Sequence, residues 1–137
     1  DYFMLKKILL IITVIAVISC SINQNRSILY EGFNGKRLTV FIARFIPRES
    51  APDQITEILI KNLNDRAFMI LACYVSLNIE RSKISATNDG ILNKIIGETV
   101  SRGKIIKYSF NENGLCEAFA EYDISDFINT LNKINDN

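Results

Sequence analysis

Between Ile8 and Ile18 the chain runs eleven residues with only Thr13 interrupting an apolar stretch, and this run decides how much of the sequence is left to fold. Lys6 and Lys7 stand ahead of it, behind Met4. The small residue Ser19 and then Cys20 follow it. A basic start, a short apolar middle and a small-residue junction make a secretory signal, which is removed before the mature chain folds. A helix across a bilayer needs about 20 apolar residues, so the run reads as a leader rather than a span. Asp1, Tyr2 and Phe3 (residues 1–3) precede Met4 and read as an upstream artefact. Residues 4–19 are then the signal, cut between Ser19 and Cys20, residues 20–35 a tether, and residues 36–137 a compact domain.

The junction Val17-Ile18-Ser19-Cys20 resembles the lipobox of bacterial lipoproteins. There the cysteine thiol is diacylated, the chain is cut just before it, and the new amino end is acylated. The resemblance implies a covalent diacylglycerol and an N-acyl lipid on Cys20. Each buried methylene contributes about 0.8 kcal/mol and one chain alone holds a protein only reversibly, so two or three chains make attachment effectively permanent. The other reading of the junction is an ordinary secreted protein with an unmodified Cys20. Ser21 after the cysteine, rather than aspartate, leans toward the outer membrane by analogy with lipoprotein sorting.

Removing the first 19 of 137 residues leaves 118, and takes 16 basic and 15 acidic residues to 14 of each. A neutral chain whose longest basic run is Lys36-Arg37 lacks the clustering that nucleic acid or anionic headgroups demand. Histidine is absent, which removes the commonest general base and the commonest metal ligand together. Apolar content is high and Pro and Gly are few, as in a packed domain rather than a disordered stalk. Beyond Cys20 only Cys73 and Cys116 remain. Outside the cytoplasm they are a candidate disulfide, with two small buried hydrophobes as the alternative.

Along the mature chain, Lys36–Ile46 is apolar on both alternating sets, as in a strand covered on both faces or central in a sheet. Ser50, as a cap, with Pro52 and Asp53 opens a helix of roughly 19 residues, its stripe Ile55, Ile58, Leu59, Leu63, Ala67, Ile70 and Leu71 at three-and-four spacing. Cys73–Glu80 alternates and predicts a half-buried strand, with Cys73, Val75, Leu77 and Ile79 inward and Tyr74, Ser76, Asn78 and Glu80 outward. Thr87 or Asn88 then caps a second helix, weakened at Gly97 and ended by Gly103. Two strands, Lys104–Phe110 and Leu115–Tyr122, join through Asn111–Gly114 as a hairpin. Asp123 or Ser125 caps a last helix, and Asn135–Asn137 frays. The expectation is an α+β two-layer sandwich in the order β-α-β-α-β-β-α, a four-stranded sheet with helices on one face.

The signal with Val17–Cys20, the segment Asp65–Ser85 and the ending Gly97–Asn132 together resemble the lipoprotein-twenty family of small bacterial membrane lipoproteins with a compact α+β domain. The resemblance implies membrane attachment and envelope-associated assembly, and it carries no catalytic residue across. The long helix departs from the family's alanine-rich one, being rich in isoleucine and asparagine.

Candidate sites are few. Glu117 and Glu121, with Glu112 nearby, could pair for acid–base work, but a solvated strand face explains them. Asp123, Asp126 and Asn129 lack the glycine and terminal glutamate of a calcium loop, so no metal is expected. Cys73 lacks a partner base. Tyr74, Ser76 and Asn78 are the candidate contact face. The expected function is a lipid-anchored, non-enzymatic envelope protein that contacts other envelope proteins or itself, with no nucleic acid and no metal. A periplasmic module binding a small ligand or cell-wall fragment is the alternative, and it would show a concave pocket with converging polar groups.

Overall fold

The computed structural model describes residues 29–137. The lipobox, its Ser19 and Cys20, and the first part of the tether lie outside the described residues. Four strands, β1 (Gly32–Asn34), β2 (Arg37–Phe45), β3 (Lys104–Phe110) and β4 (Leu115–Asp123), form one antiparallel sheet in the order β1-β2-β4-β3. Three helices pack on it: α1 (Pro52–Asn78), α2 (Ala86–Ser101) and α3 (Ser125–Asp136). The chain is α+β, with a four-stranded sheet and a helical layer, as its periodicities predict.

One strand comes from a different place than the alternation at Cys73–Glu80 suggests. That segment is helical as far as Asn78, within a helix of 27 residues, about 40 Å long at 1.5 Å per residue. No breaker separates Leu71 from Cys73, and the stripe Ile55, Leu59, Leu63, Ala67 and Leu71, spaced by four, is simply prolonged by Tyr74 and Val75, which pack on the core. The polar members of the alternating set serve the helix: Ser76 Oγ donates to the Ala72 carbonyl at 3.1 Å and Asn78 Nδ2 to the Tyr74 carbonyl at 2.8 Å. A period of two over eight residues was outweighed by the period of 3.6 already running.

The fourth strand lies instead in the expected tether. Gly32–Asn34 pairs with Arg37–Thr39, so the folded unit begins before residue 36. Gly35, at φ 61°, takes the first central position of the two-residue turn, where a tight hairpin wants positive φ.

β2 and β4 form the spine of the sheet, paired from Arg37↔Asp123 to Phe45↔Leu115. Strand alternation sends Leu38, Val40 and Ile42 with Cys116, Ala118, Ala120 and Tyr122 to the helical side, all buried. The hairpin at Asn111–Gly114 forms as expected, with Gly114 at φ 81° and the Asn111 carboxamide accepting the Asn113 and Leu115 amides.

Helix ends differ in detail from the sequence reading. Ala51, not Ser50, precedes α1, with Pro52 in its first turn. Ser85 caps α2 by accepting the Asn88 amide at 3.1 Å. Asp123 does hold the start of α3, accepting from the Ser125 amide at 2.9 Å. Asn135 does not fray: its carboxamide donates to the Asn78 carbonyl at 2.8 Å and accepts the Glu80 amide at 3.2 Å, closing the end of α1. Gly103 stands where a Cβ would meet the buried Tyr122 ring at 2.1 Å. Its φ is not positive, so it is there for space rather than for a left-handed turn.

Candidate functional site

The helices cover one face of the sheet, and the residues of the other face set the chemistry available. Alternation and the β2–β4 register place Arg37, Thr39, Phe41, Ala43 and Phe45 beside Asp123, Glu121, Phe119, Glu117 and Leu115 on that open face. Phe41 and Phe119 face each other across the strands at 4.9 Å between ring centroids, tilted by 43°, a geometry in which aromatic pairs attract. Phe45 is 76 % exposed. The second apolar set of β2, which would suit a strand covered on both faces, is therefore left without a cover among the described residues.

The charged groups lie at the margins of this stripe. Arg37 reaches Glu121 at 2.8 Å, and both line a shallow groove of about 320 Å³ with Arg102, Lys104, Ile106 and Asp123. Glu117 accepts a hydrogen bond from Asn111 Nδ2 at 3.3 Å. Glu117 and Glu121 thus sit on a common face as predicted, each engaged with a neighbour. Among the described residues no cluster of three histidine, cysteine or carboxylate side chains has the spacing to hold a metal.

At the edge of β2 the carboxylate of Glu31, just ahead of β1, ties the sheet to α1. It accepts two bonds from the Arg66 guanidinium of α1, one at 2.7 Å, and a third from the Phe41 amide at 3.2 Å. The guanidinium, and secondarily the amide, hold the Glu31 carboxyl below its ordinary value against the opposing effect of burial. Beyond Glu31 a groove of about 440 Å³ opens between β2 and α1, lined by Phe41, Ile42, Ala43, Arg44, Asn62, Asp65, Arg66 and Met69.

The expected contact face is dispersed. Tyr74 is half-buried between Phe33 (5.1 Å) and Phe127 (5.9 Å), while Ser76 and Asn78 spend their polar groups on their own helix. Cys73 and Cys116 are unbridged: Cys73 is exposed on α1, and Cys116 is buried on the core face of β4, where desolvation raises its thiol pKa. Cys116 is the small buried hydrophobe of the alternative reading; Cys73 is neither. Sequence reasoning saw the second apolar set of β2, Phe41, Ala43 and Phe45, but read it as covered rather than open. Its signal was present in the double apolar alternation of Lys36–Ile46.

Asp126 meets Arg102 at 3.4 Å, and Asp123 is occupied with Ser125, so each has a structural partner. Among the described residues no helix is long and apolar enough to cross a membrane. Comparison with protein-family models, curated proteins and solved structures finds no match.

Proposed function

We propose that the protein is a lipid-anchored, non-enzymatic module of the cell envelope whose sheet face binds other proteins at the membrane surface. The observation that carries the interaction half of this reading is the uncovered stripe of Phe41, Ala43, Phe45 and Phe119 with its charged margin. A half-buried Phe41–Phe119 pair beside the exposed Phe45, within a polar rim, has the composition of a protein contact. The anchor half is supported by the run from Met4 to Cys20, in which a basic start, a short apolar segment and Ser19-Cys20 follow in the order a lipoprotein signal requires. Resemblance to the lipoprotein-twenty family belongs to the same reading, as does an outer-membrane address.

Cys20→Ser tests the anchor. The wild-type protein should partition into the detergent phase and carry a mass excess of two or three acyl groups on a chain starting at Cys20. The variant should keep its leader uncut and carry no acyl mass excess. A variant that stays membrane-bound and is processed like wild type overturns the anchor.

A further inference from the structure

The two edges of this sheet are built differently. β3 carries Lys104 and Lys107 on the open face, and its pairing with β4 slips between Ile105 and Lys107. Lysines and a bulge are devices that stop an edge strand from recruiting another chain. Among the described residues, β2 has neither a lysine nor a bulge where it becomes an edge. β1 covers only Arg37–Thr39, and the stretch from Val40 to Phe45 runs in unbroken register with β4 on its other side, with no lysine and no proline.

The polarity of that edge follows from the Phe41 amide, which points to the β1 side and is taken by Glu31. Backbone groups that face one neighbour recur at every second residue. The amide and carbonyl of Ala43 and the amide of Phe45 therefore point the same way, and β1 does not reach them. Two charges wait in the adjoining groove. Arg44 and Asp65 both line it, and neither forms an ion pair among the described residues, whereas Arg66 beside them is held by Glu31.

We propose that the free half of β2 pairs antiparallel with the same strand of a second copy of this chain, about a two-fold axis at Ala43. The proposal rests on the interaction-module reading and names its partner and surface. Each Ala43 exchanges amide and carbonyl with its symmetry mate, and each Phe45 does so with the Phe41 opposite, its carbonyl displacing Glu31 from the Phe41 amide while Glu31 keeps its two bonds to Arg66. In such an isologous contact a residue i that meets j is repeated as j meeting i, so Arg44 of each copy enters the groove that holds Asp65 of the other. An axis at Arg44 would set two guanidiniums directly opposite, which is unfavourable. Phe41, Ala43 and Phe45 of both copies then form one apolar stripe across a continuous sheet. Pro47, lacking an amide hydrogen, ends the pairing on one side, and β1 ends it on the other.

The test uses the full-length protein, oxidised in intact cells and then purified in detergent, in a Cys73→Ser background. Residues exchanging both bonds in an antiparallel pair have Cα atoms about 5.5 Å apart, within disulfide reach. Ala43→Cys should give a self-adduct on mild oxidation, and Lys61→Cys on the outer side of α1 should not. Ala43→Pro removes an amide that β4 does not use, so it should keep the circular dichroism of the fold while weakening the dimer about ten-fold or more. If that variant fails to fold, Ala43→Lys, exposed in the monomer, opposes like charges at the axis and should give the same loss. A dimer that persists in a folded Ala43 variant overturns the pairing. So does a monomer whose Ala43 amide is protected from hydrogen exchange, as residues 21–28 seated on the edge would make it. An Ala43→Cys adduct with a different protein in place of the self-adduct overturns self-pairing and leaves the interaction reading standing; no adduct of any kind removes both.

Discussion

Two glycines separated by six positions should respond to alanine with opposite signs, and the difference can be worked from their surroundings. At Gly103 the added Cβ falls 2.1 Å from Tyr122 Cε1 and 2.7 Å from Cδ1 and Cζ, where carbon atoms normally stand about 3.5–4.0 Å apart. The ring cannot step aside freely. It is fully buried, and its hydroxyl donates to Asn64 Oδ1 at 2.7 Å. Overpacking of this kind costs about 1–3 kcal/mol, and a ring that moves enough to break the Asn64 bond forfeits about 1 kcal/mol more. Gly103→Ala should therefore lower stability by about 3 kcal/mol, or roughly 12 °C in melting temperature for a domain of this size. Gly97 lies inside α2 with nothing within 4 Å of its added Cβ, so Gly97→Ala should gain about 0.5–1 kcal/mol from helix propensity alone. Urea titration followed by circular dichroism measures both. A third variant isolates the contact: in a Tyr122→Leu background the cost of Gly103→Ala should shrink by 1 kcal/mol or more, a coupling of the size seen between touching residues. Gly103→Ala as stable as wild type, or a cost unchanged when the ring is gone, refutes the steric account.

Other perturbations read the core and its titration. Thr99 is fully buried in α2 and its hydroxyl has no hydrogen-bond partner among the described residues; Thr99→Val keeps the shape and should raise the urea midpoint, worth about 1 kcal/mol. Burial pushes the Tyr122 phenol well above its ordinary value. Because the folded state then holds its proton more tightly than the unfolded chain, its contribution is complete below about pH 10, where unfolded tyrosine titrates, and is lost as pH rises beyond it. Tyr122→Phe should flatten that alkaline loss while costing about 1 kcal/mol at neutral pH through the Asn64 bond. An alkaline slope identical in the two proteins would show that another group is responsible.

The layers and most elements of this fold were legible because each rests on a local pattern that tertiary contacts reinforce. The four-residue stripe of α1, the Asn111–Gly114 turn and the alternation of Leu115–Tyr122 all appear where the residues place them. The failures share one cause, a short pattern that admits two readings. Cys73–Glu80 alternates, but it also continues a helix whose end is set by Asn135, fifty-seven residues past the carbonyl it caps at Asn78. No local window contains that information. The β1 turn was legible in principle, since Gly35 sits between two apolar segments, yet three residues of strand are too few for periodicity to declare. The candidate surface was half-visible. The second apolar set of β2 was noticed, whereas its lack of cover depended on how many helices the other segments would supply.

The strand order carries a consequence for when the chain can close its sheet. β4 lies between β2 and β3, so those two stay unconnected until the segment ending at Asp123 arrives. Pairing across so long a loop is slow to nucleate. A chain made from its amino end therefore stays an open thread until nearly all of it has emerged, since the keystone of the arch is among the last stones delivered.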